Sequence, residues 1–284
     1  MSVLAFLPVL GWGVFVGVVF SMIGAAGGIL TAFGLISLFG VIDPNAVKPM
    51  TQLVVLAATI TFIPSYFRSS SLVIPLGLLL GASGFVGAYA GSTISSYYLT
   101  DMETFRPLFG ALTLAIAAQI FWKLYRAPPD AGNVISKVSP ISSTSVDIAL
   151  VSWRVVIFSC GTEEYRVPTW SPIVAGAMIA MTAGFFGVGG GFLLVPYMAT
   201  LLVMPMHVIP ATAAVAIFMS LVMSISNFVA LGAPLEYDLL IPLTVGAVLG
   251  SLVGPRINKA SKNTWLQYFM ATIVAGIGLK YTFF

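Results

Sequence analysis

The chain reads as long apolar runs separated by short polar or glycine-rich breaks. The first run, residues 3–41, is too long for one transmembrane helix and short for two, since a span needs about 20 apolar residues to cross roughly 30 Å of hydrocarbon. Its middle reads Gly24-Ala25-Ala26-Gly27-Gly28. A glycine costs about 1 kcal/mol relative to alanine inside a helix, so the run is expected to split there into two shorter helices. Apolar runs at 47–67, 72–96 and 105–124 follow, which makes five helical segments in residues 1–125. Residues 126–170 form a polar linker, opened by Arg126-Ala127-Pro128-Pro129-Asp130. Within it, 152–159 and 164–167 flank Cys160-Gly161-Thr162-Glu163, the pattern of a short β-hairpin ended by Pro168, with an irregular linker as the alternative. Residues 171–284 then repeat the opening: a run at 172–204 broken at Gly187-Val188-Gly189-Gly190-Gly191, and further runs at 208–231, 239–257 and 264–281.

The two halves align with small gaps. Gly24, Gly27 and Gly28 fall on Gly187, Gly190 and Gly191, and Pro49-Met50-Thr51 falls on Pro210-Ala211-Thr212. Ile74-Pro75-Leu76 falls on Ile241-Pro242-Leu243, and Gly87 and Gly91 fall on Gly250 and Gly254. Matches in this order point to an internal duplication. If each broken run is a helical hairpin, each half has odd parity and the halves are inverted. One face then collects Arg68, Lys123, Arg126, Lys137, Arg154, Arg166, Arg256, Lys259 and Lys262, against Lys48, Arg106 and Lys280 on the other. If each broken run crosses once, the split is only seven to five. Because Lys and Arg accumulate on the cytoplasmic side, the inverted arrangement is the one expected, with the linker cytoplasmic and both termini external.

Composition agrees with a membrane protein. Of 284 residues, 59% are hydrophobic and 7% charged, where soluble domains carry about 25% charge; mean hydropathy is +1.05. The apolar runs do not alternate with polar residues as β-barrel strands do, so the spans are helices. The fold expected is an all-α polytopic membrane protein of two inverted repeats, about five helical segments each, with glycine-broken helices at the midplane. Twelve Lys and Arg spread over loops make no basic face for nucleic acid. One cysteine and one histidine exclude a disulfide framework and a four-ligand zinc site. Residues 1–21 carry no Lys or Arg, so they lack the basic region of a cleavable signal and read as a retained helix.

The paired breaks carry the chemistry. A broken helix presents unpaired N–H groups at the start of its second half, where the helix dipole favours an anion, and glycine lets a ligand approach the backbone. Broken helices at matching places in inverted repeats are a transporter plan with substrate bound at the midplane. Gly24, Gly27, Gly28, Gly187, Gly189, Gly190 and Gly191 are therefore candidate substrate-binding residues. Tight helix packing is their alternative reading, and it is preferred for Gly77, Gly81, Gly87, Gly91, Gly246, Gly250 and Gly254. Two helix termini together give at most about 4 kcal/mol, a millimolar site, so side chains must add to it. Thr51, Gln52 and Thr212, at the start of the helix after each break, and Asn227, late in an apolar run, are the candidates; helix capping and interhelical bonding are their alternatives. Ser21, Thr31, Ser83, Ser224 and Tyr197 rank below them. No acid lies in a span centre, so no carboxylate proton relay is visible, and no catalytic residue, metal site or cofactor is expected. His207 reads as an interfacial residue.

The run Gly-Val-Gly-Gly-Gly-Phe-Leu-Leu-Val-Pro from Gly187 to Pro196, and its weaker copy Gly-Ala-Ala-Gly-Gly-Ile-Leu from Gly24, resemble the signature of the TauE/SafE sulfite exporter family. The resemblance covers both membrane halves and not the linker. The first copy departs from it: Ala26 replaces a glycine and Phe33 stands at the position of Pro196. The resemblance implies transport of a small sulfur-containing anion, sulfite or an organosulfonate, in either direction. The reading reached is a secondary transporter of the cytoplasmic membrane working by alternating access. Its expected partners are the anion, the lipid bilayer, a proton or other coupling ion, and a second copy in a homodimer. A passive anion channel is the first alternative, and a membrane-embedded enzyme or scaffold the second.

Overall fold

The computed structural model describes residues 3–23, 26–67, 73–126, 146–152, 154–160, 163–202, 204, 208–260 and 263–283. Gly24, Arg68, Lys137, His207 and Lys262 lie outside the described residues, as does the apex of the hairpin, 161–162. The first half holds α1 (Val3–Ile23), α2 (Gly27–Phe33, continued by a π-helical turn at Gly34–Leu38), α3 (Pro44–Phe67), α4 (Ile74–Tyr98) and α5 (Met102–Arg126). The second holds α6 (Trp170–Phe186), α7 (Gly191–Thr200), α8 (Ile209–Ala230), α9 (Tyr237–Ala260) and α10 (Asn263–Phe283). Stretches of α4, α5 and α8 are long and apolar enough to cross a membrane. Bulky apolar side chains such as Phe85, Val86, Leu108, Phe218, Leu252 and Leu279 point outward, an exposure that hydrocarbon rather than water would accept.

Between the halves lies an antiparallel sheet, β1 (Val146–Val151), β2 (Val155–Cys160) and β3 (Glu163–Pro168), in the order β1-β2-β3. Strands β2 and β3 pair from Val155↔Pro168 to Cys160↔Glu163, in the stretch read as a hairpin; β1 is a third strand. Phe158 stacks on Tyr165 at 5.3 Å, and Thr169 ties the sheet to the start of α6 by donating to the Ser152 carbonyl at 3.1 Å.

Both broken runs are helical hairpins. Trp12 Nε1 donates to the Leu30 carbonyl at 3.1 Å, the Trp12 and Phe33 rings lie 6.1 Å apart, and Gly27 faces Phe20. Low residue numbers in α1 thus meet high numbers in α2, so α2 returns along α1. The second half repeats this: Ser171 bonds the Tyr197 hydroxyl at 2.9 Å while Gly190 faces Ile179 and Ala183. Left-handed backbone makes the turns, at Ala26 (φ 67°) in the first and at Gly187 (φ 72°) and Gly189 (φ 73°) in the second. Ala26 occupies the position equivalent to Gly189, so the first copy keeps the left-handed turn without the glycine. That conformation costs an L-residue roughly 1–2 kcal/mol.

The halves exchange their packing. Helix α1 lies chiefly on α9, and its counterpart α6 lies chiefly on α4. Glycines bring these backbones together: a Cβ at Gly17, Gly246 or Gly250 would strike backbone atoms across the α1–α9 seam, and one at Gly87 or Gly91 would do so across the α4–α6 seam. Gly77 and Gly81 serve α4 against α8 in the same way, facing Val215 and Met219. The small residues read as packing positions do pack, as small-residue stripes do in membranes. The surroundings of Gly254 lie outside the described residues. Counterpart helices α5 and α10 run antiparallel, with Gly110 against Thr282, Gly278 against Thr113 and Leu114, and Phe121 6.5 Å from Tyr268.

Candidate functional site

The tips of the two hairpins meet. A Cβ added to Gly28 would land on the Val188 backbone, with the Val188 Cα 2.7 Å away. Only a residue without a side chain allows this approach. The first break is thereby pressed against the carbonyl of the second. Gly27 is packed against Phe20, and Gly191, also buried, begins α7. Gly190 is the more open position: its nearest neighbours would be Ile179 at 3.4 Å and Ala183 at 3.7 Å. A cavity of about 10 Å³ beside it, lined in part by Gly176, Ile179, Ala216 and Ser220, has room for about one water.

The second break is seated on α3 and α8. Gly187 lies on the Cα, Cβ and Cγ of Lys48, and Gly189 lies between Val55 of α3 and Leu221 of α8. The Ala183 carbonyl, in the last turn of α6, accepts from the backbone N–H groups of Gly187 and Val188 and, at 3.4 Å, from Gln52 Nε2. The Gly190 carbonyl accepts from the N–H groups of Leu193 at 3.2 Å and Leu194 at 3.0 Å, so in the first turn of α7 the N–H groups of Gly191 and Phe192 are the ones left without an acceptor among the described residues.

Three buried polar atoms near this break have no hydrogen-bond partner among the described residues: Thr51 Oγ1, Gln52 Oε1 and Ser224 Oγ. Helices α3 and α8 pass each other antiparallel, with Val55 and Leu221 both at Gly189 and Lys48 Nζ 5.7 Å from the Phe228 ring. Gln52 and Ser224 fall on the turn between those two contacts, so both unsatisfied groups lie at the level of the break. An unpaired buried polar group costs about 1–3 kcal/mol, so the hydroxyls of Thr51 and Ser224 are poised to donate to water or an anion, and Gln52 Oε1 to accept from a donor such as water.

Two sequence candidates are engaged elsewhere. Thr212 donates to the Val208 carbonyl at 3.0 Å and accepts from the Val73 N–H at 3.2 Å, joining α8 to the start of α4. Asn227 Nδ2 donates to Ser92 Oγ at 2.7 Å and Thr93 Oγ1 at 2.8 Å, an interhelical clasp on α4. Among the weaker candidates, Ser21, Thr31 and Ser83 bond carbonyls of their own helices, and Tyr197 bonds Ser171; Ser224 alone stands unpaired.

Sequence reasoning missed Lys48. The charge distribution reads it as a loop charge beside the membrane, but it lies inside α3 and is fully buried. Its ammonium donates to the Ser95 carbonyl at 3.1 Å, Ser95 Oγ at 2.8 Å and the Leu99 carbonyl at 2.9 Å, and it stands over the rings of Phe105 and Phe228. The available signal was its setting, Ala46-Val47-Lys48-Pro49-Met50, an isolated charge within an apolar run.

Comparison with known proteins covers nearly the whole chain. The profile described as "Sulfite exporter TauE/SafE" matches residues 9–281. The chain is 25% identical over 287 aligned positions to "Probable membrane transporter protein YunE" of Bacillus subtilis (strain 168), an alignment spanning 98% of this chain and 97% of that protein. No solved structure matches.

Proposed function

The chain belongs to the sulfite exporter TauE/SafE family, and from that premise we propose that it carries a small sulfur-containing anion, sulfite or an organosulfonate, across the cytoplasmic membrane by alternating access. The meeting of the two hairpin tips at Gly28 and Val188 is the observation that carries the reading. The anion sits at the second break, where the N–H groups at the start of α7 face it and the hydroxyls of Thr51 and Ser224 donate to it. Gln52 lines the same place through its amide. Thr212 and Asn227 hold the surrounding helices and do not touch the substrate.

The cavity beside Gly190, about 10 Å³, is too small for an oxyanion, so substrate enters only when the hairpins part. Such an occluded centre favours a transporter over a channel, which keeps a continuous path. The halves form inverted repeats, a reading supported by the antiparallel run of counterparts α5 and α10. The excess of Lys and Arg on the face of the linker supports a cytoplasmic position for that face, with both termini outside.

The test is flux in proteoliposomes against sulfite, sulfate, thiosulfate, methanesulfonate and acetate, with and without a pH gradient. Saturable flux of a sulfur anion, abolished by Gly190→Leu in a protein that still folds, is expected. Non-saturating flux with single-channel currents would make it a channel, and flux unaffected by Gly190→Leu would remove the proposed site. A response to the pH gradient would identify the proton as the coupling ion.

A further inference from the structure

We propose that Lys48 is the positive charge that receives the anion at the second break, an inference that rests on the anion-transport reading above. Lys48 is the one charged side chain fully buried among the described residues. A fully buried charge is expensive and is held only where definite partners compensate it. Here the partners present are neutral: two main-chain carbonyls and the Ser95 hydroxyl. They solvate the ammonium without cancelling its charge. Asp43, just before α3, accepts from the Asn45 N–H and attracts the ammonium through space, without a hydrogen bond to it among the described residues. The ammonium therefore has no hydrogen-bonded carboxylate among the described residues, and an anion would be its first ionised acceptor.

Its place in the fold ties that charge to the break. Gly187 rests directly on the Lys48 stem. Ser95 Oγ, which accepts from the ammonium, itself donates to the Phe185 carbonyl in the last turn of α6, two residues before the break. The Ser95 and Leu99 carbonyls belong to the end of α4, whose negative dipole end suits a cation. An arriving anion offers the ammonium an ionised acceptor, and a bond to an ionised acceptor is stronger than one to a neutral carbonyl. When Lys48 turns to the anion it leaves the end of α4, so binding at the break loosens the link between α4 and α6. The charge is thus both a ligand for the substrate and the tie that substrate releases.

The experiment compares wild type and Lys48→Met in proteoliposomes, with sulfite as the probe, reading initial rates over a range of concentrations and, separately, the thermal unfolding midpoint in detergent. Removal of an anion-binding charge is expected to raise KM at least about tenfold, the factor that corresponds to 1.4 kcal/mol, while the unfolding midpoint reports separately the loss of the ammonium's bonds to Ser95 and Leu99. An unchanged KM in a folded Lys48→Met protein overturns the proposal and leaves the transport reading standing. Absence of saturable sulfite flux in wild type overturns both. If Lys48→Met does not fold, Ser95→Ala decides: it keeps the charge and removes a competing acceptor, so KM is expected to fall, and a KM equal to that of wild type refutes the assignment.

Discussion

The contact between the hairpin tips can be tested with a single methyl group. In Gly28→Ala the new Cβ meets the Val188 carbonyl and lies 2.7 Å from its Cα. Real Cβ atoms do not approach backbone so closely, and a main chain cannot turn aside as a side chain can. Overpacking a core by a methylene typically costs 1–3 kcal/mol, and a backbone obstacle puts this substitution at the upper end, about 2–3 kcal/mol. The control is Gly190→Ala, one position earlier in the aligned motif. Its Cβ would have neighbours at 3.4 and 3.7 Å and a φ of −72° that any residue accepts. That change is expected to be neutral or to stabilise by about 0.4–1 kcal/mol through the unfolded chain. Thermal unfolding in detergent should therefore show Gly28→Ala melting on the order of 5–10 °C below wild type, with Gly190→Ala at or above it. Equal midpoints for Gly28→Ala and wild type would mean that the two tips do not touch, and the site proposed between the hairpins would go with them.

Ala26→Gly should raise the unfolding midpoint, because relief of roughly 1–2 kcal/mol of left-handed strain exceeds the added freedom of the unfolded chain, about 0.4–1 kcal/mol; a lower midpoint would refute the strain. Asn227→Leu loses its bonds to Ser92 and Thr93 and should destabilise by about 0.6–1.7 kcal/mol while leaving the sulfite KM unchanged, and a raised KM would return Asn227 to the site. Gln52→Leu removes an unpartnered acceptor together with the Nε2 bond to the Ala183 carbonyl, which keeps two backbone donors, so it should fold nearly as well as wild type yet transport poorly; normal transport would exclude Gln52. A tag at the C-terminus should be accessible from outside intact cells, and protection of the tag would reverse the orientation.

The breaks were legible because a cluster of glycines inside an apolar run is hard to reconcile with a continuous helix. That the chain turns back there was legible only indirectly, from the distribution of Lys and Arg; the contacts of Trp12 with Leu30 and of Ser171 with Tyr197 now give it directly. Strand β1 escaped notice because residues 146–151 follow a long polar stretch and pair with β2 through an irregular register, which blurs the alternation that marks a strand. For the site, residue type suggested polarity but not direction. Thr51 and Thr212 hold equivalent places in the two halves, yet one hydroxyl is unpaired and the other joins two helices. Lys48 was hidden for a different reason: charge near the end of an apolar run is ordinarily topological, and only tertiary packing shows that its ammonium turns inward to the ends of α4.

The exchange of partners between halves has a consequence for biogenesis. Helix α1 finds its principal neighbour, α9, more than two hundred residues later in the chain. At about 5–20 residues per second of synthesis, α1 waits on the order of 10–50 s in the bilayer with its glycine face uncovered. Neither half completes its own core, so the first half should persist unassembled until the second is inserted. Expressed as two separate polypeptides split in the linker, the halves should each be degraded alone and rescued together.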